Sequence, residues 1–259
     1  MTEDIRGEAA QYYDANPTIP DDVGFYQARL PSAEAVVLEL GCGTGRVLVP
    51  LAARCRAIQG IDISEAMLAR CRQKLQAAGV PASKAQVMLG DITHFALGRT
   101  FDLIIAPYRV FQLLETEAQV DGLLRCVRDH LAPGATCILN VVHLHQDPER
   151  WRQEWGTMTE VLRWEIPVAG GRLRCDERLP RMDLEKRILY PELIYRRWQG
   201  DAWVEAAVLK IPRRCYAPEE FAQVIRSHGF RIINRWGGYA GEVYGEGPEL
   251  VIEFAASSG

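Results

Sequence analysis

Two hydrophobic periods run along this chain, and the change between them divides it. From residue 34 to about 145, short apolar runs alternate with stretches of helical period. The runs at 36–40, 57–63, 86–92, 100–107 and 136–142 are rich in β-branched residues and end in turn residues, as strands buried on both faces do. Between them, Met67, Leu68, Cys71 and Leu75 repeat with helical spacing over 65–78, after Ser64 as N-cap and before Gly79 and Pro81. Val120, Leu123, Leu124, Val127 and Leu131 form a second stripe, opened by the capping box Thr116 to Gln119 and closed by Pro133-Gly134. A first core helix is expected to follow the glycines at 41–45 and run to about residue 54.

Strand and helix in strict alternation predict an α/β fold, a doubly wound, mostly parallel sheet with ligands at the carboxyl ends of its strands. The ends of the chain add to this frame. Two short amphipathic helices are expected at 2–14 and 22–30, separated by Asn16-Pro17-Thr18-Ile19-Pro20. Past residue 216, a helix starts at Pro218 and closes at Gly229, and strands follow at 230–234 and 250–254.

The stretch from 151 to 215 follows a different rule. Charged and apolar residues alternate through 172–179, 187–190 and 202–205, the period of half-exposed antiparallel strands. Ala169-Gly170-Gly171 and Gln199-Gly200-Asp201 read as hairpin turns. A meander of three or four strands, an antiparallel β subdomain inserted after the fifth core strand, is the expectation. Five of the six tryptophans fall here, at 151, 155, 164, 198 and 203. Packing of a small sheet accounts for them, with one or two as candidates for the wall of a pocket.

Composition narrows the function. The 259 residues are 48% hydrophobic and 25% charged, with a formal net charge of −4, so no basic footprint points to nucleic acid. The seven cysteines are scattered and form no C-x-x-C pair, which fits reduced thiols in a cytoplasmic protein. The acidic N-terminus shows no signal-peptide pattern, and no apolar run is long enough to cross a bilayer. No metal site is expected.

The candidate chemistry lies in Glu39-Leu40-Gly41-Cys42-Gly43-Thr44-Gly45-Arg46. Glycines tolerate positive φ and let a ligand lie against the backbone, and the following helix offers free amides. Arg46 stands where the dinucleotide fingerprint G-x-G-x-x-G requires its third glycine, which argues against NAD. A tight turn without ligand is the alternative. Asp62 follows about twenty residues after the first glycine, at the end of the second strand, where a carboxylate suits the two hydroxyls of a ribose.

This G-x-G-x-G with Glu39 before it, joined to Asp62, Asp91 and the Pro107-Tyr108 loop, resembles the class I S-adenosylmethionine-dependent methyltransferases over about 34–145 and again from about 216 onward. The resemblance implies S-adenosylmethionine as cofactor and a terminal antiparallel strand pair. It implies an N-terminal helical lid (1–33), a cofactor-binding domain (34–150 and 216–259) and the insertion (151–215) covering the acceptor. It implies cofactor contacts from Glu39, Gly41, Cys42, Gly43, Gly45 and Arg46 of the turn, and from Asp62, Ile63 and Met67. Asp91 would accept from the adenine amino group and Ile92 pack on the ring. Ala106 and Pro107 would close under the methionine part, and Tyr13 and Tyr26 of the lid would lie over it.

On the acceptor side, His143 lies just past the fifth strand, followed two residues on by His145, and histidine is the residue type suited to taking a proton at neutral pH. His143 is therefore the candidate base, with Tyr108 and Arg109 as candidates for orienting the acceptor. The expected activity is methyl transfer to nitrogen or oxygen of a small molecule, by a monomer or homodimer with neither nucleic acid nor membrane as partner. The alternatives are a protein or RNA methyltransferase and a non-catalytic cofactor-binding partner subunit.

Overall fold

The apolar runs become strands wherever a helix covers each of their faces. The computed structural model describes residues 6–144, 153 and 158–257. In chain order the first half contains β1 (Val36–Leu40), β2 (Ala57–Asp62), β3 (Ala85–Leu89), β4 (Phe101–Ala106) and β5 (Leu131–Val142). Around them lie α1 (Ala10–Tyr13), α2 (Val23–Gln27), α3 (Leu48–Ala52), α4 (Glu65–Ala77) and α5 (Glu117–His130). The insertion supplies β6 (Val161–Val168), β7 (Gly171–Asp183), β8 (Ile188–Gln199), β9 (Ala202–Lys210) and the two-residue β10 (Arg213–Arg214). The chain then returns through α6 (Pro218–Ser227), β11 (Phe230–Trp236) and β12 (Glu249–Ala256).

The main sheet has seven strands in the order β11-β12-β5-β4-β1-β2-β3. The pairs from β3 to β5 are parallel, and β12 runs antiparallel to both β5 and β11. Side chains alternate across the sheet. Leu38 and Leu40 thus enter one apolar layer with Leu123, Val127, Phe221 and Ile225. Val37 enters the opposite layer with Leu48, Leu51, Leu68 and Cys71. The central β1 is buried throughout, whereas the edge strand β3 leaves Met88 and Leu89 exposed.

Helix starts follow the expected chemistry. Ser64 accepts from the Met67 amide at 3.2 Å, and Thr116 and Gln119 close a reciprocal capping box. Several boundaries differ from expectation, among them that of β3, which ends at Leu89. The second N-terminal helix ends at Gln27, where Arg29 donates to the Phe25 carbonyl at 2.8 Å and stacks on the Phe25 ring. The first core helix ends at Ala52. The fifth strand begins early: Leu131 already pairs with Phe101, and 132–135 loop out opposite Asp102 before Thr136 meets Leu103. Among the described residues the first N-terminal helix is Ala10–Tyr13.

The insertion forms its own antiparallel sheet, with β9 and β10 both paired to β8. Its apolar face (Trp164, Leu173, Cys175, Tyr195 and Leu209) packs on Ala9 and Tyr12. Trp198 and Trp203 face each other across the β8–β9 pair, edge to face at 5.2 Å. These three tryptophans pack the sheet and line neither cavity of the cleft described below. Trp151 and Trp155 lie outside the described residues. Among the described residues no helix is long and apolar enough to cross a membrane.

Candidate active site

The glycine turn leaves β1 with Gly41, Gly43 and Gly45 all in the left-handed region. Gly41 and Gly43 carry that conformation for different reasons. A Cβ on Gly41 would meet Val110 at 2.6 Å, so the turn can pack there only without a side chain. A Cβ on Gly43 would meet nothing within 4 Å, so it borders open space. Beside it, buried Asp62 accepts from the Gly43 amide at 2.8 Å through Oδ2 and from the Ser64 amide at 2.9 Å through Oδ1. Arg6 Nη1 approaches Oδ1 at 3.5 Å. Each carboxylate oxygen has further lone pairs for two outside donors.

Two cavities meet at Gly41 and Asp62. One, of about 270 Å³, runs past Ile63, Asp91, Ile92 and Thr93. Asp91 Oδ1 is held by the Thr93 amide at 2.8 Å and hydroxyl at 2.7 Å, leaving Oδ2 without a partner among the described residues. The other cavity, of about 130 Å³, is lined by Tyr13, Gly43, Met67, Pro107, Tyr108 and Arg109 from the main body. From the insertion it receives Leu193, Tyr195, Leu209 and Arg213.

The loop after β4 is strained. Tyr108 and Arg109 both have positive φ without being glycine, a conformation that costs about 1–3 kcal/mol per residue and persists only when its surroundings impose it. Asn140 and Glu249 impose it. The Arg109 amide donates to Asn140 Oδ1 at 3.0 Å, and Asn140 Nδ2 donates to Glu249 Oε2 at 3.0 Å. Arg109 Nε donates to Glu249 Oε1 at 2.9 Å, with Nη2 on the same oxygen. Tyr108 is thereby held edge-on to Tyr13, with ring centroids 6.2 Å apart. Burial raises the pKa of Tyr13 and of Tyr195, so both phenols keep their protons at neutral pH.

Several expected contacts lie behind the cleft rather than in it. Tyr26 is fully buried against Phe25 and Tyr239 and lines neither cavity. Its face of α2 docks on the core, while Tyr13 reaches the cleft. Cys42 and Ala106 are buried under the turn, and Gly45 packs on Cys71. Glu39 is buried with Oε2 lacking a hydrogen bond. Burial pushes its carboxyl well above the usual carboxylate range, with Cys71 adding and Arg46 opposing. Arg46 clasps buried Asp22 at two points, Nη2 to Oδ2 at 2.9 Å and Nη1 to Oδ1. Burial lowers the Arg46 pKa, but Asp22 outweighs it and the net shift is upward.

His143 is at the end of β5 but does not line the cleft. Its amide donates to the Pro248 carbonyl at 2.9 Å, and its Nδ1 lies 2.9 Å from the Gly247 carbonyl, so that ring nitrogen is engaged by the 247–248 loop. His145 lies outside the described residues. Four residues that the pattern did not single out are in or against the site: Arg6, Asp22, Tyr195 and Arg213. Asp22 carried a signal, as an acid opening a short helix near a loop arginine.

The fold and site define a nucleoside-binding, doubly wound α/β protein. Residues 37–134 match the family described as methyltransferase domain. A phosphatidylethanolamine N-methyltransferase of Cereibacter sphaeroides is 32% identical over 145 residues, 55% of this chain and 69% of that one. A dTDP-3-amino-3,4,6-trideoxy-alpha-D-glucopyranose N,N-dimethyltransferase of Streptomyces venezuelae is 27% identical over 143 residues, 55% of this chain and 56% of that one. This chain spans about half the length of the first curated relatives it matches. The solved structure of the CcbJ methyltransferase from Streptomyces caelestis superposes with a TM-score of 0.77 at 21% identity, over 98% of each chain. The chain belongs to the class I S-adenosylmethionine-dependent methyltransferases.

The residues present fit that family's cofactor, S-adenosylmethionine. Open space borders Gly43, where a side chain would intrude, and Asp62 and the free oxygen of Asp91 are acceptors of the kind a ribose and an adenine amino group require.

Proposed function

We propose that this protein transfers a methyl group from S-adenosylmethionine to a nitrogen of a small-molecule acceptor. Asp62, the Gly43 backbone and Met67 would hold the cofactor's ribosyl and methionyl parts, and Asp91, Ile92 and Ile63 its base. When bound, the cofactor supplies a methyl group on a cationic sulfur. The chain's own residues align the acceptor and keep water away.

One observation carries the choice of nitrogen. Among the described residues, the smaller cavity has Asp62 as its sole carboxylate and no histidine. Tyr13 and Tyr195 hold their protons because burial disfavours the phenolate, so neither is a base at neutral pH. A hydroxyl acceptor needs a base at the moment of attack, whereas a neutral amine offers a lone pair without one. The phenols of Tyr13, Tyr108 and Tyr195 are suited to hydrogen-bond the amine and aim it. Relatives named as N,N-dimethyltransferases of amino-deoxy sugars support the same atom. Seven buried free cysteines support the cytoplasm as its compartment.

The test is a screen with methyl-labelled cofactor against small amines, phenols, peptides and bulk RNA, read by product mass. Label is expected on a small amine. Preferential labelling of peptide or RNA would overturn the reading. Cofactor binding without turnover on any class would make the protein a non-catalytic cofactor-binding subunit.

A further inference from the structure

Three arginines line the smaller cavity; Arg6 approaches Asp62, and the other two, Arg109 and Arg213, are of unlike standing. Arg109 is neutralised by Glu249, which takes both Nε and Nη2. Arg213 has no equivalent. Its nearest carboxylate is Glu177, 3.9 Å away, and the other oxygen of Glu177 already pairs with Arg163 at 3.1 Å. Among the described residues no hydrogen bond is made by the Arg213 guanidinium, whose side chain is 23% exposed and lines the cavity. Desolvation lowers its pKa, Glu177 opposes this, and the nearby positive charge of Arg109 adds to it.

Its position is nevertheless fixed. Arg213 pairs through its backbone with Leu189 of β8. The next carbonyl, of Arg214, accepts from Gln112 Nε2 at 2.8 Å, and Gln112 Oε1 accepts from the Val142 amide at 2.8 Å. The Arg214 guanidinium pairs with Glu117, on the main body. One residue of β10 therefore anchors the strand and its neighbour is left facing the cleft. Leu193, Leu209 and Ile211 surround that cleft with apolar wall, which weakens hydration of the cation and strengthens any pairing it makes.

A half-buried cation whose one carboxylate neighbour stands 3.9 Å away and is shared with Arg163 is under-compensated unless a ligand brings a further anion. We propose that Arg213 docks an anionic group, a phosphate or a carboxylate, carried by the acceptor, so that the substrate is an amine bearing an anion. The planar guanidinium fork suits two-point pairing with either group. This rests on the reading of the cleft as an acceptor site.

The test uses the full chain, free and saturated with S-adenosylhomocysteine, in calorimetric titrations. Thymidine diphosphate is the phosphate probe and phenylacetate the carboxylate probe, with thymidine and phenylacetamide as uncharged counterparts. At least one anion is expected to bind more tightly than its uncharged counterpart. Arg213→Gln should weaken it about tenfold to a hundredfold, the scale of a charged hydrogen bond, and Arg213→Lys should recover part of the loss. The arm that responds identifies the anion. Affinity for S-adenosylhomocysteine should stay within about twofold in both variants, which also reports that they are folded. If neither anion binds in preference to its counterpart, or if Arg213→Gln binds both as the parent does, the proposal falls while the methyltransferase reading stands. Failure of the parent protein to bind S-adenosylhomocysteine would overturn the functional reading by itself, whatever the anion arms give.

Discussion

The Gly43 amide donates to Asp62 Oδ2 at 2.8 Å, tying the glycine turn to the end of the neighbouring strand, 19 residues later. Asp62 thus shapes the turn and presents its remaining lone pairs to the same space. Asp62→Ala should lower affinity for S-adenosylhomocysteine by roughly tenfold to a few hundredfold, from the value of charged hydrogen bonds. Calorimetry measures this, and an unchanged dissociation constant would put the ribose elsewhere.

Gly41 and Gly43 should separate folding from binding. Gly41→Ala forces a Cβ against Val110 at 2.6 Å and should lower the melting temperature sharply. Gly43→Ala has room, so it should cost only the roughly 1–2 kcal/mol of a left-handed alanine while cofactor affinity collapses. Normal binding by a folded Gly43→Ala protein would show that the ligand does not lie against that backbone.

Asp22→Ala leaves the largely buried Arg46 without its partner. Breaking such a pair costs about 3–5 kcal/mol. Urea unfolding should register a loss of that order, and a change below about 1 kcal/mol, the value of an exposed pair, would mean that the clasp contributes little.

The raised carboxyl of Glu39 fixes the sign of a pH effect. A carboxyl whose folded pKa exceeds its unfolded value near 4.3 favours folding in its protonated form. That contribution is complete below the unfolded pKa and is lost as pH rises through the folded one. Glu39→Gln should therefore match the parent near pH 4.5 and become the more stable protein toward pH 8. Denaturant midpoints that differ equally at both ends of this range would contradict the assignment.

The parallel sheet was readable because its inner strands are buried on both faces and leave near-continuous apolar runs, as in β1 and β4. Asp62 and Asp91 could be singled out because ligands of such sheets are expected beyond the strand ends, and both border the same cavity. What escaped the pattern depends on docking between distant segments. Tyr13 and Tyr26 have equivalent local sequence, and only the seating of α1 and α2 sends one to the cleft and the other to the core. His143 stands at the end of β5 as expected, but Gly247, 104 residues away, holds its Nδ1, and the ring lines neither cavity of the cleft. Alternation along β8 tells which residues share a face with Tyr195 but not what that face meets. Arg213 carried one faint sign: adjacent arginines just after Ile211-Pro212, where the chain rejoins the core.

The anchoring of β10 through Gln112 bears on how this protein can change over generations. Under the proposed function, the donor is held by residues of β1, β2 and their turns, whereas the opposite wall of the cleft belongs to a separate sheet. On that reading, rewriting Leu193 or Leu209 should alter which molecule is admitted and leave the source of the methyl group untouched. Gln112 itself has no such latitude, because it is the hinge pin between the two inheritances: lose its amide, and both the end of β5 and the mounting of Arg213 come loose together.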